Sequence, residues 1–312
     1  MQDTKTPYQY RFGNRIKRLR EGKTRGISAG SLRKLIIEGT VSELELIIME
    51  QLYELEYLTS NLLLQCFSHS SIPPEYHMFS STSGKNPYRK TLANMEHMGI
   101  IIVSCFCNEY DEQLGPRIYE LSPGAREWMK IRNSNHMSYF IQGVILDDKK
   151  GKCDINTSST YEDIIGKLTR NQFHIKAILQ RRLDFSAYTP RRFRLGCLEA
   201  GYYSTLSNIN LILLPVRNSK NSIDHLLVAI NDLCEMYYYG DKIEQMCLII
   251  IAEHMEHVKN IQRRLYESVI RKIQILYTTD SYVYYETSLF DHFIRFNGNN
   301  IDNYETVSAS LQ

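Results

Sequence analysis

The chain lacks several sequence patterns that would assign it directly to a class of membrane, secreted or disulfide-bonded proteins. None of its apolar runs approaches the ~20 residues that a membrane-spanning helix needs. The segment 1–30 has no apolar core of the kind a secretory signal contains, so we expect a cytoplasmic protein. Its seven cysteines are an odd number and lie mostly in apolar stretches. This pattern favours free thiols in a reducing compartment over a disulfide framework.

Common enzyme motifs are also lacking. The sequence has no Gly-rich phosphate loop and no nucleophile motif. Cys105 and Cys107 are too close together for a zinc knuckle and have no matching second pair. His254 and His257 lie three apart, whereas zinc proteases place two histidines four apart, so a polar helix start is the favoured interpretation. We therefore expect no metal, no cofactor and no enzymatic activity.

Positive charge is concentrated at the front of the chain. The net charge is only +2, yet residues 1–34 hold ten Lys and Arg against two acids, so this segment carries +8 and the remainder −6. Such a segment is typical of an arm that binds nucleic acid or an anionic membrane, or of a solvated tail. Glycines at 22, 26 and 30 interrupt the apolar face that a membrane helix needs, so no membrane partner is expected. We interpret residues 1–40 as a basic arm whose candidate DNA contacts are Arg11, Arg15, Lys17, Arg18, Arg20, Lys23 and Arg25.

Residues 41–135 contain three helical patterns. Ser42 and Glu45 form a capping box at the start of the first helix. Thr59 is a suitable N-cap for the second helix, and Gly99 is a suitable stop for the third. The apolar side chains of the third helix share one face, which consists of Tyr88, Leu92 and Met95.

Two strand patterns, at 100–106 and 117–121, follow the third helix and predict a β-hairpin. Three helices and then two strands is the order of a winged helix, whose third helix enters the DNA major groove. Phosphate would repel the acidic hairpin tip at 108–113, so we expect the arm to reach an adjacent groove instead. The candidate contacts at the third helix are Lys85, Arg89 and Lys90 for phosphates or guanine edges, and Asn94 for adenine.

The pattern changes after residue 135 to alternating strands and helices, which predicts an α/β sheet flanked by helices. We assign residues 136–290 to this domain and residues 291–312 to a C-terminal tail. Residues 139–146 fit a strand or the end of a helix equally well. A second basic cluster consists of Arg191, Arg192 and Arg194 near two aromatic residues, a pattern that suits either nucleic-acid contacts or salt bridges to nearby acids.

Three stretches resemble the replication-relaxation family of plasmid and mobile-element proteins: LTSNLLLQCF, RKTLANMEHMGIIIVSCF and RIYELSPGAREWM. The resemblance covers residues 55–135 and continues weakly to about residue 280. It implies DNA binding in plasmid replication, relaxation or transfer. It also implies a C-terminal domain similar to restriction endonucleases.

A restriction-endonuclease site needs an Asp on one strand and an acid-x-Lys motif on the next, to hold Mg²⁺ beside the phosphate. The matching strand here reads Leu214-Pro215-Val216-Arg217, and no acid lies between Glu199 and Asp224. We therefore expect this domain to lack catalytic residues.

The expected fold class is α+β multidomain, with a basic arm, a winged helix and a C-terminal α/β domain that resembles a degenerate restriction endonuclease. The expected function is sequence-specific binding of double-stranded DNA in plasmid or mobile-element replication initiation or control, or in conjugative transfer. Other replication or transfer proteins and a second copy of the chain are further candidate partners. Two alternatives stay open: an unconventional Mg²⁺-dependent nuclease or nickase, and a winged-helix adaptor or transcriptional regulator.

Overall fold

A computed structural model describes the chain in two compact units, one within residues 11–150 and the other mainly within residues 151–312. Both are mixed α+β. None of the helices in the described ranges has the length and apolar character needed to cross a membrane. The described ranges are 15–19, 26–67, 88–108, 110, 112–133, 161–180, 191–195, 198–204, 210–218, 222–238, 246–267, 273–285, 288–297 and 300–308.

The first unit combines helices with an antiparallel sheet of strand order β1-β3-β4-β2. The predicted order of three helices and a hairpin is confirmed at the level of secondary structure. In chain order the elements are β1 (Arg15–Arg18), α1 (Ala29–Ile37), α2 (Glu43–Leu55), β2 (Leu58–Thr59), α3 (Ser60–Cys66), α4 (Tyr88–His97), β3 (Ile101–Cys107), β4 (Gln113–Leu121) and α5 (Pro123–Asn133).

The predicted helix signals are present in this unit. The Ser42 hydroxyl accepts a hydrogen bond from the Glu45 N–H at 3.3 Å, and the Glu45 carboxylate accepts one from the Ser42 N–H at 2.8 Å. Thr59 Oγ1 accepts a bond from the Leu62 N–H at 3.3 Å. Gly99 follows α4 with a φ of +73°, a left-handed value that favours glycine. These contacts satisfy backbone groups that helix ends leave unpaired.

The N-terminal segment is more structured than an arm. Strand β1 pairs antiparallel with β3, and the Leu19 N–H continues the pairing to the Val103 carbonyl at 3.0 Å. Residues 29–37 then form α1. The prediction that residues 1–40 form an arm is therefore wrong for these two segments. A four-residue strand is too short to show a clear period of two, and Lys and Arg are common on edge strands because one side faces solvent.

The second unit is built on a seven-stranded sheet of order β11-β10-β9-β8-β7-β6-β5. Strands β7, β8 and β9 are parallel, and the outer strands on both sides are antiparallel to their neighbours. In chain order the elements are α6 (Tyr161–Leu179), β5 (Arg191–Leu195), β6 (Leu198–Ser204), β7 (Asn210–Pro215), α7 (Ser222–Tyr238), β8 (Met246–Ala252), α8 (Met255–Glu267), β9 (Gln274–Thr279), α9 (Asp280–Tyr285), a 3-10 turn (Leu289–Asp291), β10 (Phe293–Phe296) and β11 (Tyr304–Val307).

The core of this unit lies along the central strands. Side chains at 211–214 of β7 and at 248–252 of β8 are buried on both sides of the sheet, as parallel strands under helices are. Strand β7 lies between β6 and β8, and Pro215, which has no N–H to donate, is its last residue. The next residue continues the contact with β8, because the Val216 N–H donates a hydrogen bond to the Ile251 carbonyl at 2.9 Å.

The predicted C-terminal tail is wrong as well. Strands β10 and β11 extend the sheet beyond β9, and Phe293 and Ile294 of β10 are buried. Each strand has only four residues, so its apolar pattern is too short to distinguish a strand from a loop in the sequence. The ambiguous segment 139–146 lies outside the described residues.

Candidate nucleic-acid interface

Helix α4 has one buried face and one exposed face. Tyr88, Leu92 and Met95 are buried, and the Tyr88 ring packs on Phe67 with 4.7 Å between ring centroids. Because these positions recur with the helical period, the intervening side chains lie on the opposite face. The exposed residues of the helix are Arg89, Lys90, Ala93, Asn94 and His97.

The two cations of this face are unpaired within the part of the chain that the structure describes. Neither Arg89 nor Lys90 has a salt bridge or a side-chain hydrogen bond there, whereas Arg132 of α5 pairs with Glu50 at 3.0 Å. A phosphate could therefore bind Arg89 and Lys90 without displacing an acid. The predicted contact at Lys85 lies outside the described residues, as do those at Arg11, Arg20, Lys23 and Arg25.

Asn94 is exposed, but its side chain is already anchored. Its Nδ2 donates to Oε1 of Glu45 at 2.7 Å, and the same carboxylate accepts bonds from the Ser42 N–H and hydroxyl at 2.8 and 3.0 Å. Because a carboxylate only accepts, this bond fixes which end of the Asn94 amide faces Glu45. Oδ1 and the second N–H remain for another partner. That contact joins residues 49 positions apart, and no local pattern indicates it.

The hairpin between β3 and β4 ends in a turn organised by Asn108. Its Oδ1 accepts bonds from the N–H groups of Tyr110 and Glu112, both at 2.9 Å, and its Nδ2 donates to the Glu112 carboxylate at 2.8 Å. Tyr110 and Glu112 are both exposed. The other acids of the predicted tip, Glu109 and Asp111, lie outside the described residues. The described tip thus presents a tyrosine and an acid, as the sequence predicts.

Strand β1 places basic residues on the sheet that carries this hairpin. Lys17 lies opposite Cys105 in the ladder, and Arg18 lies opposite Ser104. Burial raises the pKa of Glu120 in β4, and Arg126 and Arg18 oppose that rise. Arg15 belongs to β1 by its backbone, but its side chain is outside the described part. Among the predicted arm contacts, the structure therefore places the side chains of Lys17 and Arg18.

The second basic cluster lies on β5 of the seven-stranded sheet. Arg191, Arg192 and Arg194 are all in this strand, and Arg194 pairs in register with Glu199 of β6. Their side chains are outside the described part of the structure. Contact with nucleic acid and a salt bridge to Glu199 therefore both remain predictions for this strand.

The carboxyl ends of β7 and β9 carry a buried ion pair that sequence reasoning missed. Arg217 donates to both carboxylate oxygens of Asp280, at 2.7 and 3.0 Å, and to the Ile251 carbonyl at 3.3 Å. The two side chains are 7% and 0% exposed. Burial raises the pKa of Asp280, and the Arg217 guanidinium opposes that rise. Ligands of α/β sheets bind at this edge, but here two protein charges bind each other.

His254 and His257 lie at the start of α8, beside this ion pair. The His257 N–H donates to Nδ1 of His254 at 3.2 Å, and the Glu253 N–H donates to Nδ1 of His257 at 3.4 Å. The His254 imidazole thus caps the first turn of α8, and this confirms the predicted polar helix start. Among the described residues, no group of three or more His, Cys, Asp or Glu side chains could hold a metal ion.

Acid should destabilise the second unit through His257. Burial, and then the nearby charges of Arg217 and His254, lower the pKa of His257 from 6.5 to about 4. The unfolded chain therefore binds more protons than the folded chain between these values, and stability is lost as the pH falls from 6.5 towards 4. We expect a loss of at most about 3 kcal/mol from this residue. Urea unfolding of the wild type and His257→Gln across this range measures the difference.

The control for the loss of one imidazole is His225→Gln, at an exposed position of α7. A stability difference between the wild type and His257→Gln that does not change with pH would contradict this assignment.

Comparison of the chain with models of protein families, with curated proteins and with solved structures found no match. The resemblance to the replication-relaxation family therefore remains a prediction.

Proposed function

We propose that the first unit is a winged-helix domain that binds double-stranded DNA and that α4 enters the major groove. The exposed face of α4 is the observation that carries this proposal. Arg89 and Lys90 have no acidic partner among the described residues, and the opposite face of the helix is fixed in the core by Tyr88, Leu92 and Met95. A rigid helix with unpaired cations and an amide is what recognition in a major groove requires.

The side chains of this face divide between two tasks. Arg89 and Lys90 supply phosphate contacts or bidentate contacts with guanine. Asn94 is held by Glu45, and it keeps the acceptor and the N–H that a bidentate contact with adenine uses. Lys17 and Arg18 of β1 add two cations to the antiparallel sheet. The hairpin tip of the same sheet has no cation among its described residues. Phosphate affinity then comes from β1 and α4 together, and base recognition comes from α4.

We assign the process by resemblance: a plasmid or mobile-element protein that acts in replication initiation or control, or in conjugative transfer. The second unit is then a restriction-endonuclease-like domain without catalytic residues. This interpretation is supported by the end of β7, where Leu214 and Pro215 supply no carboxylate and the Arg217 guanidinium is paired with Asp280.

The test is binding of the full chain to a labelled duplex of random sequence at several salt concentrations. Arg89→Ala and Lys90→Ala should each weaken binding, and the slope of log K against log salt should fall by about 0.9 for each phosphate that the variant no longer neutralises. Lys130→Ala, which removes an exposed cation from α5, is the matched control and should leave both quantities unchanged. Equal losses in all three variants would show that α4 is not the contact surface.

Base recognition has a separate readout in the same system. On a duplex selected from a random pool, Asn94→Ala should cost ~1–3 kcal/mol of binding free energy, and on random duplex much less. The free energy of unfolding is measured beside it, because this variant also removes the bond to Glu45. Equal losses on selected and random DNA would assign Asn94 a structural role only.

The nuclease and the adaptor alternatives give different results in these assays. A nuclease or nickase would cut supercoiled, linear or single-stranded DNA with Mg²⁺ or Mn²⁺, and we expect no cleavage. A winged-helix adaptor would bind no duplex at any salt concentration.

A further inference from the structure

Two thiols meet inside the sheet of the first unit. Cys105 and Cys107 are two residues apart on β3, so their side chains share one face of the strand. Their sulfur atoms are 3.4 Å apart, and each residue is 1% exposed. Sulfur atoms of a disulfide are about 2.0 Å apart, so closure needs a small movement of either side chain.

The backbone at this point is irregular. Cys105 lies opposite Arg117 of β4, but Cys107 lies opposite Gln113, so the register shifts between them. Pro116 falls within the shifted part of β4 and has no N–H to donate to the ladder. Irregularities of this kind bend a strand and change its local twist. The extra residues lie on β4, because β1 pairs with residues 104–107 of β3 in an unbroken register.

Cations flank the pair across the sheet. Lys17 of β1 and Arg117 of β4 both lie directly opposite Cys105. Burial and then Cys107 raise the pKa of Cys105 to about 11, while Lys17 and Arg117 lower it. Cations of this kind stabilise the thiolate that reacts.

We propose that Cys105 and Cys107 form a reversible dithiol site, which closes to an intrastrand disulfide by exchange with a small-molecule disulfide such as oxidised glutathione. One thiolate attacks a sulfur of the oxidant and expels one glutathione thiolate. The second cysteine thiolate attacks the mixed disulfide and expels the other. The two protons from the cysteines end on the two reduced glutathione molecules, so the dithiol is oxidised and the oxidant is reduced.

Strand β1 controls access to this site. It pairs directly with the segment that holds both thiols, and it is an edge strand of four residues. Short edge strands open more readily than central ones. Exchange should therefore be slow in the folded chain and should proceed when β1 separates from β3.

The experiment exposes the full, reduced chain to oxidised glutathione, then unfolds it, labels the remaining thiols with iodoacetamide and digests it with trypsin. The tryptic peptide 91–117 contains both thiols and no other cysteine. We expect this peptide to lose the mass of two hydrogen atoms and to carry neither label nor glutathione. Cys66 and Cys247, which are buried and free, should both carry the iodoacetamide label.

Two variants keep the result decisive. Cys107→Ser should abolish the mass loss and leave Cys105 labelled or joined to one glutathione. Ile16→Asn, in β1, should speed closure several-fold if strand opening limits the reaction. A peptide 91–117 from the wild type that carries two labels, or one label and one glutathione, would overturn the proposal. DNA binding plays no part in this readout, so it stands apart from the proposed function.

Discussion

Replacing Arg217 with Leu should destabilise the second unit by about 3–5 kcal/mol. The carboxylate of Asp280 is fully buried, and both of its oxygens accept bonds from this guanidinium. Removing the arginine therefore leaves a charge in the interior without its counter-charge, and the carboxylate must take up a proton or draw in water. Urea unfolding at pH 7, followed with a probe in the second unit, measures the loss of free energy.

The control is the same substitution in an exposed pair. Arg295 of β10 bonds to Glu305 of β11 across the edge of the sheet, and both side chains are more than one third exposed. Arg295→Leu should cost only about 0.2–1 kcal/mol, because water solvates the remaining acid. The double variant Arg217→Leu, Asp280→Leu should recover most of the stability that Arg217→Leu loses, since no charge then remains buried. A single-variant loss below that of Arg295→Leu would rule out this account of the pair.

Helix starts and stops of the first unit can be predicted from the sequence because their determinants are local. Ser42 and Glu45 are three residues apart, and Gly99 lies two residues after His97, the last residue of the helix. The buried faces of the long helices follow from a period that repeats over several turns. The candidate face of α4 is predictable on the same ground.

The parts that could not be predicted depend on contacts between distant segments. Arg217 and Asp280 are 63 positions apart, and no local sequence pattern around either residue indicates its partner. Asn94 and Glu45 are 49 positions apart, and only the tertiary fold brings them together. The strands β1, β10 and β11 are each four residues long. Whether such a short segment forms a strand depends more on pairing with a neighbouring strand than on its own sequence.

Gly124→Ala should destabilise the first unit by at least about 1–3 kcal/mol, the cost typical of forcing extra atoms into a packed site. A Cβ at this position would lie 2.0 Å from the Ile27 carbonyl oxygen and 3.0 Å from the Ser28 Cα. Both atoms belong to the backbone, so no side chain can rotate away. Moving the segment would also strain the bond from the Ile27 N–H to the Gly99 carbonyl, now 3.0 Å long. The free energy of unfolding measures the effect.

The chain offers a matched control for this substitution at Gly30, in the first turn of α1. A Cβ there meets nothing within 4 Å, so Gly30→Ala should be neutral or should stabilise by up to about 1 kcal/mol through helix propensity. If Gly124→Ala lowers the free energy of unfolding and Gly30→Ala does not, then the close approach of two backbones requires glycine at position 124, and glycine's flexibility does not. If Gly124→Ala were as stable as Gly30→Ala, the segment before α1 would not pack on α5 as described.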